Sequence, residues 1–352
     1  MNTPSPKTTQ RVGRLLKQAA FTGAFTLTPL QGGANSKAFC VDLATGIRLF
    51  YKEYFHHPDD PRDRLGTEFA FASFAWGHGL RTIARPYAMD RDGLGALYSF
   101  LDGRKLTPRE VNRNMLAQCL RFVQLLNASK ESASAASLPA GSEACFCLDD
   151  HWNCLTRRVR RLDDIEPASA VDRQASMFVQ RELAPACSAY LGGARDLAGV
   201  IHLAPSAMLS AADRCLSPSD FGFHNALLAD DGSLQFLDFE YAGWDDPAKL
   251  VCDFFCQPAC PVPQDAYAGF ATQLAQGTSN PELHRMRMDL LLPMYRLKWC
   301  CILLNDFLPS GNSRRRFALQ GQDETARKEE QLQKARHALA RHWNEEPVAA
   351  AA

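Results

Sequence analysis

Three oxygen-bearing side chains recur close together along one stretch of the chain. Asp220 lies in Ser219-Asp220-Phe221-Gly222-Phe223-His224-Asn225, five positions before Asn225. Asp238 follows Asn225 by thirteen positions and opens Asp238-Phe239-Glu240. Between them, residues 225–229 and 234–238 read as two strands around the turn Asp230-Asp231-Gly232-Ser233. A hairpin returns its second end to its first, so Asn225 and Asp238 should be neighbours in space. Carboxylate and amide oxygens are hard ligands that suit Mg²⁺, which takes one or two carboxylates and completes its shell with phosphate oxygens and water. A further carboxylate beside such a site can accept or orient the proton of a hydroxyl. An isolated Asp220 would more simply cap a turn; its conjunction with Asn225 and Asp238 favours phosphoryl-transfer chemistry.

The elements that must position these residues fall into two groups. The first hundred residues read as strands at 25–30, 38–43, 47–52, 86–89 and 95–101, with one helix at 63–78 carrying Leu65, Phe69, Ala72, Ala75 and Trp76 at helical spacing. Residues 1–18 are polar and basic, with Pro4 and Pro6, and read as a loose start. After Asp102-Gly103 the pattern turns helical: 108–126, 150–164, 172–191, 248–255, 264–276 and 288–307, with a charged helix near the end and a Ser/Ala-rich loop at 128–144. The expected organisation is an N-lobe over residues 1–103, a five-stranded sheet with one helix, and a mainly helical C-lobe over 104–352 carrying the catalytic loop, metal site and acceptor pocket. A cleft between two such lobes is a common ligand geometry.

Bulk properties narrow the function classes. The 352 residues are 46% hydrophobic, enough for substantial cores. Lys+Arg and Asp+Glu both number 39, so the basic excess of a phosphate-gripping nucleic-acid binder is missing. No run of 18 apolar residues and no signal peptide is evident, which points to a cytoplasmic protein without a membrane span. The twelve cysteines include no C-x-x-C pair and read as buried thiols.

The loop Pro218-Ser219-Asp220-Phe221-Gly222-Phe223-His224-Asn225 with Asp238-Phe239-Glu240 resembles the aminoglycoside phosphotransferase and choline kinase family. That family's loop has the form His-Gly-Asp-x-x-x-x-Asn, followed across a hairpin by Asp in an Asp-Trp/Phe-Glu context. The resemblance implies an α+β, bilobal, protein-kinase-like fold. It implies Asp220 as catalytic base, and Asn225 and Asp238 as Mg²⁺ ligands. Trp244-Asp245-Asp246-Pro247 and Asp253 resemble the family's Gly-Asp-Pro…Asp segment, which makes Asp253 a structural brace of the catalytic loop. Pro218 and Ser219 depart from the family's His and Gly.

The amino-terminal residues fit the same picture. A kinase needs a basic group on the α/β-phosphates, held by a helix carboxylate. Lys52 at the end of the third strand and Glu68 in the following helix resemble that pair. Gly32, Gly33 and Ser36 lie where a phosphate-covering loop belongs, and Ser99 and Leu101 lie where the family places its adenine-contacting hinge. His224 is read as a packed loop histidine in preference to a substrate contact.

The implied activity is ATP- and Mg²⁺-dependent phosphorylation of a small-molecule hydroxyl. Arg157, Arg158, Arg160 and Arg161, with Arg314-Arg315-Arg316, read first as solvated surface. Their functional alternative is an anionic acceptor, and with no obvious acidic cluster the balance tips towards a sugar or cell-envelope saccharide. The altered Pro218-Ser219 supports a second reading, a nucleotide-binding pseudokinase acting through partners.

Overall fold

A computed structural model describes residues 4–30, 36–56, 60–309 and 323–344. The chain divides into two compact units. The first is built from residues 1–142, 216–244 and 314–320, and the second from residues 143–215, 245–313 and 321–352.

The first unit opens on a five-stranded antiparallel sheet. Its strands are β1 (Phe25–Leu30), β2 (Ser36–Leu43), β3 (Arg48–Tyr54), β4 (Pro86–Asp90) and β5 (Gly95–Ser99), in the order β1-β2-β3-β5-β4. Alternation sends successive side chains to opposite faces. Leu49 and Tyr51 of β3 therefore join Phe39, Val41, Leu43, Ala88 and Leu97 in one buried cluster. Phe50, Lys52 and Tyr54 face the other way, towards α2 (Arg64–Gly77).

The first face is covered by α1 (Pro6–Gln18), a helix where a loose start was expected. Ser5 caps it, accepting from the Thr8 amide at 3.1 Å, and Pro6 occupies the first turn, where a missing N–H costs nothing. Val12, Leu15 and Leu16 are buried on the sheet. Each contributes roughly 1.5–3 kcal/mol by leaving water, which outweighs the polar composition of this segment.

A second, three-stranded sheet belongs to the same unit. It pairs β6 (Arg104–Lys105), β8 (Ala226–Leu228) and β9 (Leu234–Phe236) in the order β6-β8-β9, while β7 (Cys215–Ser217) leads into the Asp220 loop. Gly103 enters β6 at φ +151, and a Cβ there would lie 2.9 Å from the Leu228 carbonyl oxygen, so only glycine permits this approach. Beneath the hairpin lies α3 (Arg113–Asn127). Its Phe122 packs against Phe236 at 4.4 Å between ring centroids, Phe221 at 5.6 Å and Phe239 at 6.3 Å. Phe221 adjoins Asp220 and Phe239 adjoins Asp238, so one aromatic layer seats both acidic segments. The expected loop at 128–144 contains only one short helix, α4 (Ala133–Ala136).

The second unit is mainly helical: α5 (Leu148–Arg161), α6 (Ala170–Phe178), α7 (Ala184–Val200), α8 (Pro247–Cys256), α9 (Tyr267–Ala275), α10 (Pro281–Leu303) and α11 (Glu324–Asn344). A π turn at Val179–Leu183 separates α6 from α7. Pro185 follows it, and its lack of an N–H disfavours regular helix there. Asp246 caps α8 by accepting from the Ala248 amide at 2.7 Å, with Pro247 in the first turn. Its other oxygen accepts from His151 Nε2 at 3.1 Å and pairs with Arg287. Asp253, read as a brace, accepts from Lys298 at 2.8 Å and from Trp299 Nε1 at 3.0 Å, so its carboxylate is engaged on α10. All twelve cysteines are unpaired, and every one but Cys256 is buried.

Replacing Phe122 by alanine should destabilise the chain by about 3–5 kcal/mol in urea unfolding, as for other large buried aromatics. Leu125→Ala, on the exposed side of the same helix, is expected to cost under about 1 kcal/mol. Equal costs would show that the aromatic layer is not tightly packed.

Candidate active site

The site is assembled around one buried ammonium. Lys52 projects from β3 on the α2 side of the sheet and is 5% exposed. Its Nζ donates to Glu68 Oε2 at 2.7 Å and to Asp238 Oδ1 at 2.6 Å, and Glu240 Oε2 lies 3.7 Å away. Burial alone would lower the Lys52 pKa; the charges of Asp238, Glu68 and Glu240 outweigh it and hold the pKa well above the ordinary value. Burial also pushes Glu68 up, against the opposing charge of Lys52. Glu240 is raised to about 7 by burial and by the charge of Asp238.

The sequence explains how Glu68 arrives. Arg64 and Glu68 lie one turn apart on α2 and share a face. Glu68 accepts from Tyr54 Oη at 2.9 Å, and Tyr54 in turn bonds Tyr98 at 2.8 Å. Arg64 donates to the Phe55 carbonyl at 2.9 Å, pairs with Asp60 and lies 3.6 Å from Glu240. Glu240 is thus held between two cations, Lys52 and Arg64.

The hairpin brings Asn225 and Asp238 together as expected. The Leu237 amide donates to the Asn225 carbonyl at 2.9 Å, one residue before Asp238. Asn225 Nδ2 donates to the Asp220 carbonyl at 2.9 Å and lies 3.3 Å from Asp220 Oδ2. The amide nitrogen is thereby turned onto the loop, leaving the amide oxygen for other ligands. His224 Nε2 lies 3.1 Å from Asp220 Oδ1, so this histidine contacts the acid as well as packing in the loop.

Two non-glycine residues here adopt left-handed backbone. Ser219 has φ +68 and Asp238 φ +66. Such conformations cost of order 1 kcal/mol or more and persist only where the surroundings enforce them. Ser219 stands where the family pattern has glycine, which takes this φ freely. The Ser217 hydroxyl compensates by accepting from the Ser219 amide at 3.0 Å.

Other predicted site residues take simpler positions. Ser36 begins β2 opposite Tyr54, and Ser99 Oγ accepts from the Arg85 amide at 2.9 Å. Leu101 is half-buried just beyond β5. Gly32 and Gly33 lie outside the described residues, as do Arg314, Arg315 and Arg316. Sequence reasoning missed Tyr54 and Arg64 altogether. Their signals were available: Tyr54 lies two residues beyond Lys52 on the same strand face, and Arg64 lies four before Glu68 on the same helix face.

Residues 26–288 match the family described as phosphotransferase enzyme family, APH. The chain belongs to that family. Phosphoryl transfer to a small molecule is therefore its activity class. Among curated proteins, none matches this phosphotransferase by sequence. Solved structures share its fold. A spectinomycin phosphotransferase in complex with ADP and spectinomycin superimposes with TM-score 0.62 at 12% identity, covering 95% of this chain and 97% of that one. The choline kinase LicA from Streptococcus pneumoniae gives TM-score 0.57 at 13% identity, covering 95% and 99%. An ethanolamine kinase from Plasmodium vivax gives 0.54 at 14% identity, covering 88% and 82%. The α+β, bilobal, protein-kinase-like fold expected from the sequence is the fold of this chain.

Glu68, Asp238 and Glu240 offer ligand oxygens within 4.8 Å of one another, and the Lys52 ammonium is what keeps them together. Lys52→Met should destabilise the chain by roughly 3–5 kcal/mol near neutral pH, the usual cost of stripping one partner from a buried charge cluster. The deficit should shrink as pH falls, because protonating Glu240, already at about 7, removes repulsion. Melting temperatures of both proteins at about pH 8 and about pH 5.5 measure this; a pH-independent difference would refute it.

Proposed function

We propose that this phosphotransferase moves the γ-phosphoryl group of ATP to a hydroxyl of a small molecule. The observation that carries the reading is convergence within one compact unit: the Lys52–Glu68 pair touches Asp238, and the Asp220–Asn225 loop is hydrogen-bonded to the same hairpin. In this reading residues 1–103 form the nucleotide-covering lobe, and 104–352 carry the catalytic loop and acceptor pocket. Gly32, Gly33 and Ser36 cover the phosphates, and Ser99 and Leu101 contact the adenine.

Each residue then has a defined task. Lys52, positioned by Glu68, holds the α/β-phosphates. Asp220, held by His224 and Asn225, orients the acceptor hydroxyl and takes its proton as that oxygen bonds to phosphorus. Asp238 and Asn225 present a carboxylate and an amide oxygen, the hard donors that suit Mg²⁺. Bound there, the ion would neutralise charge on the β- and γ-phosphates. The remaining catalysis is positioning and electrostatics.

The proposed acceptor is a sugar or cell-envelope saccharide, anionic groups included. Exposed Arg157, Arg160 and Arg161 on α5 support it. The described residues include no helix long and apolar enough to cross a membrane. A cytoplasmic setting is proposed from the need for ATP and from the unpaired cysteines.

A panel of hydroxylated metabolites, assayed for ADP release with ATP and Mg²⁺, tests the reading. Asp220→Ala is expected to lower turnover by roughly 10²–10⁴-fold, the range for a lost general base, with an unchanged melting temperature. Asp238→Ala should abolish turnover. Near-normal rates in either folded variant would remove the assignment.

A further inference from the structure

One cation beside the Asp220 loop has no task in the mechanism above. Lys105 ends β6, which pairs antiparallel with β8 in the register Arg104↔Leu228 and Lys105↔Leu227. β8 pairs antiparallel with β9 in turn, Ala226 opposite Phe236. The end of β6, the start of β8 and the end of β9 therefore lie at one edge of this small sheet. That edge carries Lys105, then His224 and Asn225, then Asp238.

Side-chain contacts tighten the placement. Lys105 Nζ donates to the His224 carbonyl at 2.9 Å, and His224 Nε2 lies 3.1 Å from Asp220 Oδ1. An ammonium has three N–H donors, and one carbonyl occupies one of them. Among the described residues, no carboxylate lies within 4.0 Å of this ammonium. Its neighbour Arg104 points to the opposite face and is paired with Glu110. Lost hydration lowers the Lys105 pKa, with the Asp238 charge acting in the opposite sense. The side chain is exposed, and its ammonium is held against the backbone of the loop that bears Asp220.

A phosphoryl group in transfer spreads negative charge over three equatorial oxygens. Lys52, deep in the unit and in contact with Glu68 and Asp238, is assigned above to the α/β-phosphates. Lys105 is anchored instead to the backbone of the loop that bears Asp220, with N–H donors to spare.

We infer that Lys105 is a further catalytic residue of this enzyme, the cation that meets the γ-phosphoryl oxygens on the Asp220 side. This rests on the ATP-dependent reading above. As the acceptor oxygen bonds to the γ-phosphorus, the bond to the bridging oxygen breaks and ADP leaves. The hydroxyl proton passes to Asp220, and Lys105 keeps its own proton throughout.

The test compares calorimetric binding of ATP and of ADP, each with Mg²⁺, to the wild-type chain, Lys105→Met, Lys105→Gln and Lys105→Arg, after circular dichroism has shown that each is folded. Loss of the ammonium should weaken ATP roughly tenfold, as for one lost charge-assisted contact, while ADP affinity stays within about twofold. Turnover with any acceptor found should fall by roughly 10²-fold. The Arg variant should retain the preference for ATP. Two neutral variants are included because their exposed position tolerates both, so one folding failure leaves the comparison intact. Equal changes for ATP and ADP, or none, would overturn the assignment and reduce Lys105 to a brace of the loop, leaving the phosphotransferase reading in place. A wild-type chain that binds neither nucleotide would overturn both.

Discussion

A lysine ammonium taken out of water must be repaid by charge and by hydrogen bonds, or it loses its proton. Lys52 is repaid by three carboxylates arriving from different parts of the first unit. Glu68 comes from α2, and Asp238 and Glu240 come from the segment after β9. The carboxylates offset the burial of Lys52, and the Lys52 charge opposes the burial of Glu68 and Glu240. The cluster therefore ties the five-stranded sheet to the segment after β9 by electrostatics as well as by packing. It also fixes where Asp238 can be, with one oxygen on Lys52 and the side chain still 39% exposed. A group so arranged can hold a structural contact and still meet a ligand.

The β8–β9 hairpin and the loop before it hold their carboxylates at the cost of backbone strain. Ser219 and Asp238 both hold left-handed backbone, two residues and one residue from Phe221 and Phe239 of the aromatic layer. The buried rings of Phe221 and Phe239 anchor the segments that carry these two residues. The serine at position 219 is reconciled with the family's glycine by a single hydrogen bond to Ser217.

Fold and reaction class are shared widely among these kinases, and the acceptor is not. Structures only 12–14% identical to this chain keep its architecture, and they include spectinomycin, choline and ethanolamine enzymes. Conserving an architecture requires conserving where the backbone goes and which few charges meet. A shared architecture does not carry the acceptor with it, because acceptor choice is set by individual side chains and not by the fold. Within this chain the helical unit spends several of its charges internally, on Asp245–Lys249, Asp246–Arg287 and Asp253–Lys298.

What the sequence determined by itself was whatever depends on local period and short spacing. Alternation placed the strands of the first sheet, helical spacing placed α2 and α3, and the hairpin turn foretold that Asn225 and Asp238 would meet. Lys52 and Glu68 were legible because each sits at a definite point of a regular element. The helix α1 was missed because its polar composition hid three apolar residues, although Ser5 and Pro6 formed a recognisable start. Only the tertiary structure decided that Glu240 joins the Lys52 cluster, that His224 touches Asp220 and that Lys105 lies at the same sheet edge as both loops. Those contacts span 119 residues between Lys105 and His224 and 186 between Lys52 and Asp238. No local periodicity reports across such distances, because strand order and register, not the neighbouring sequence, choose which side chains come face to face.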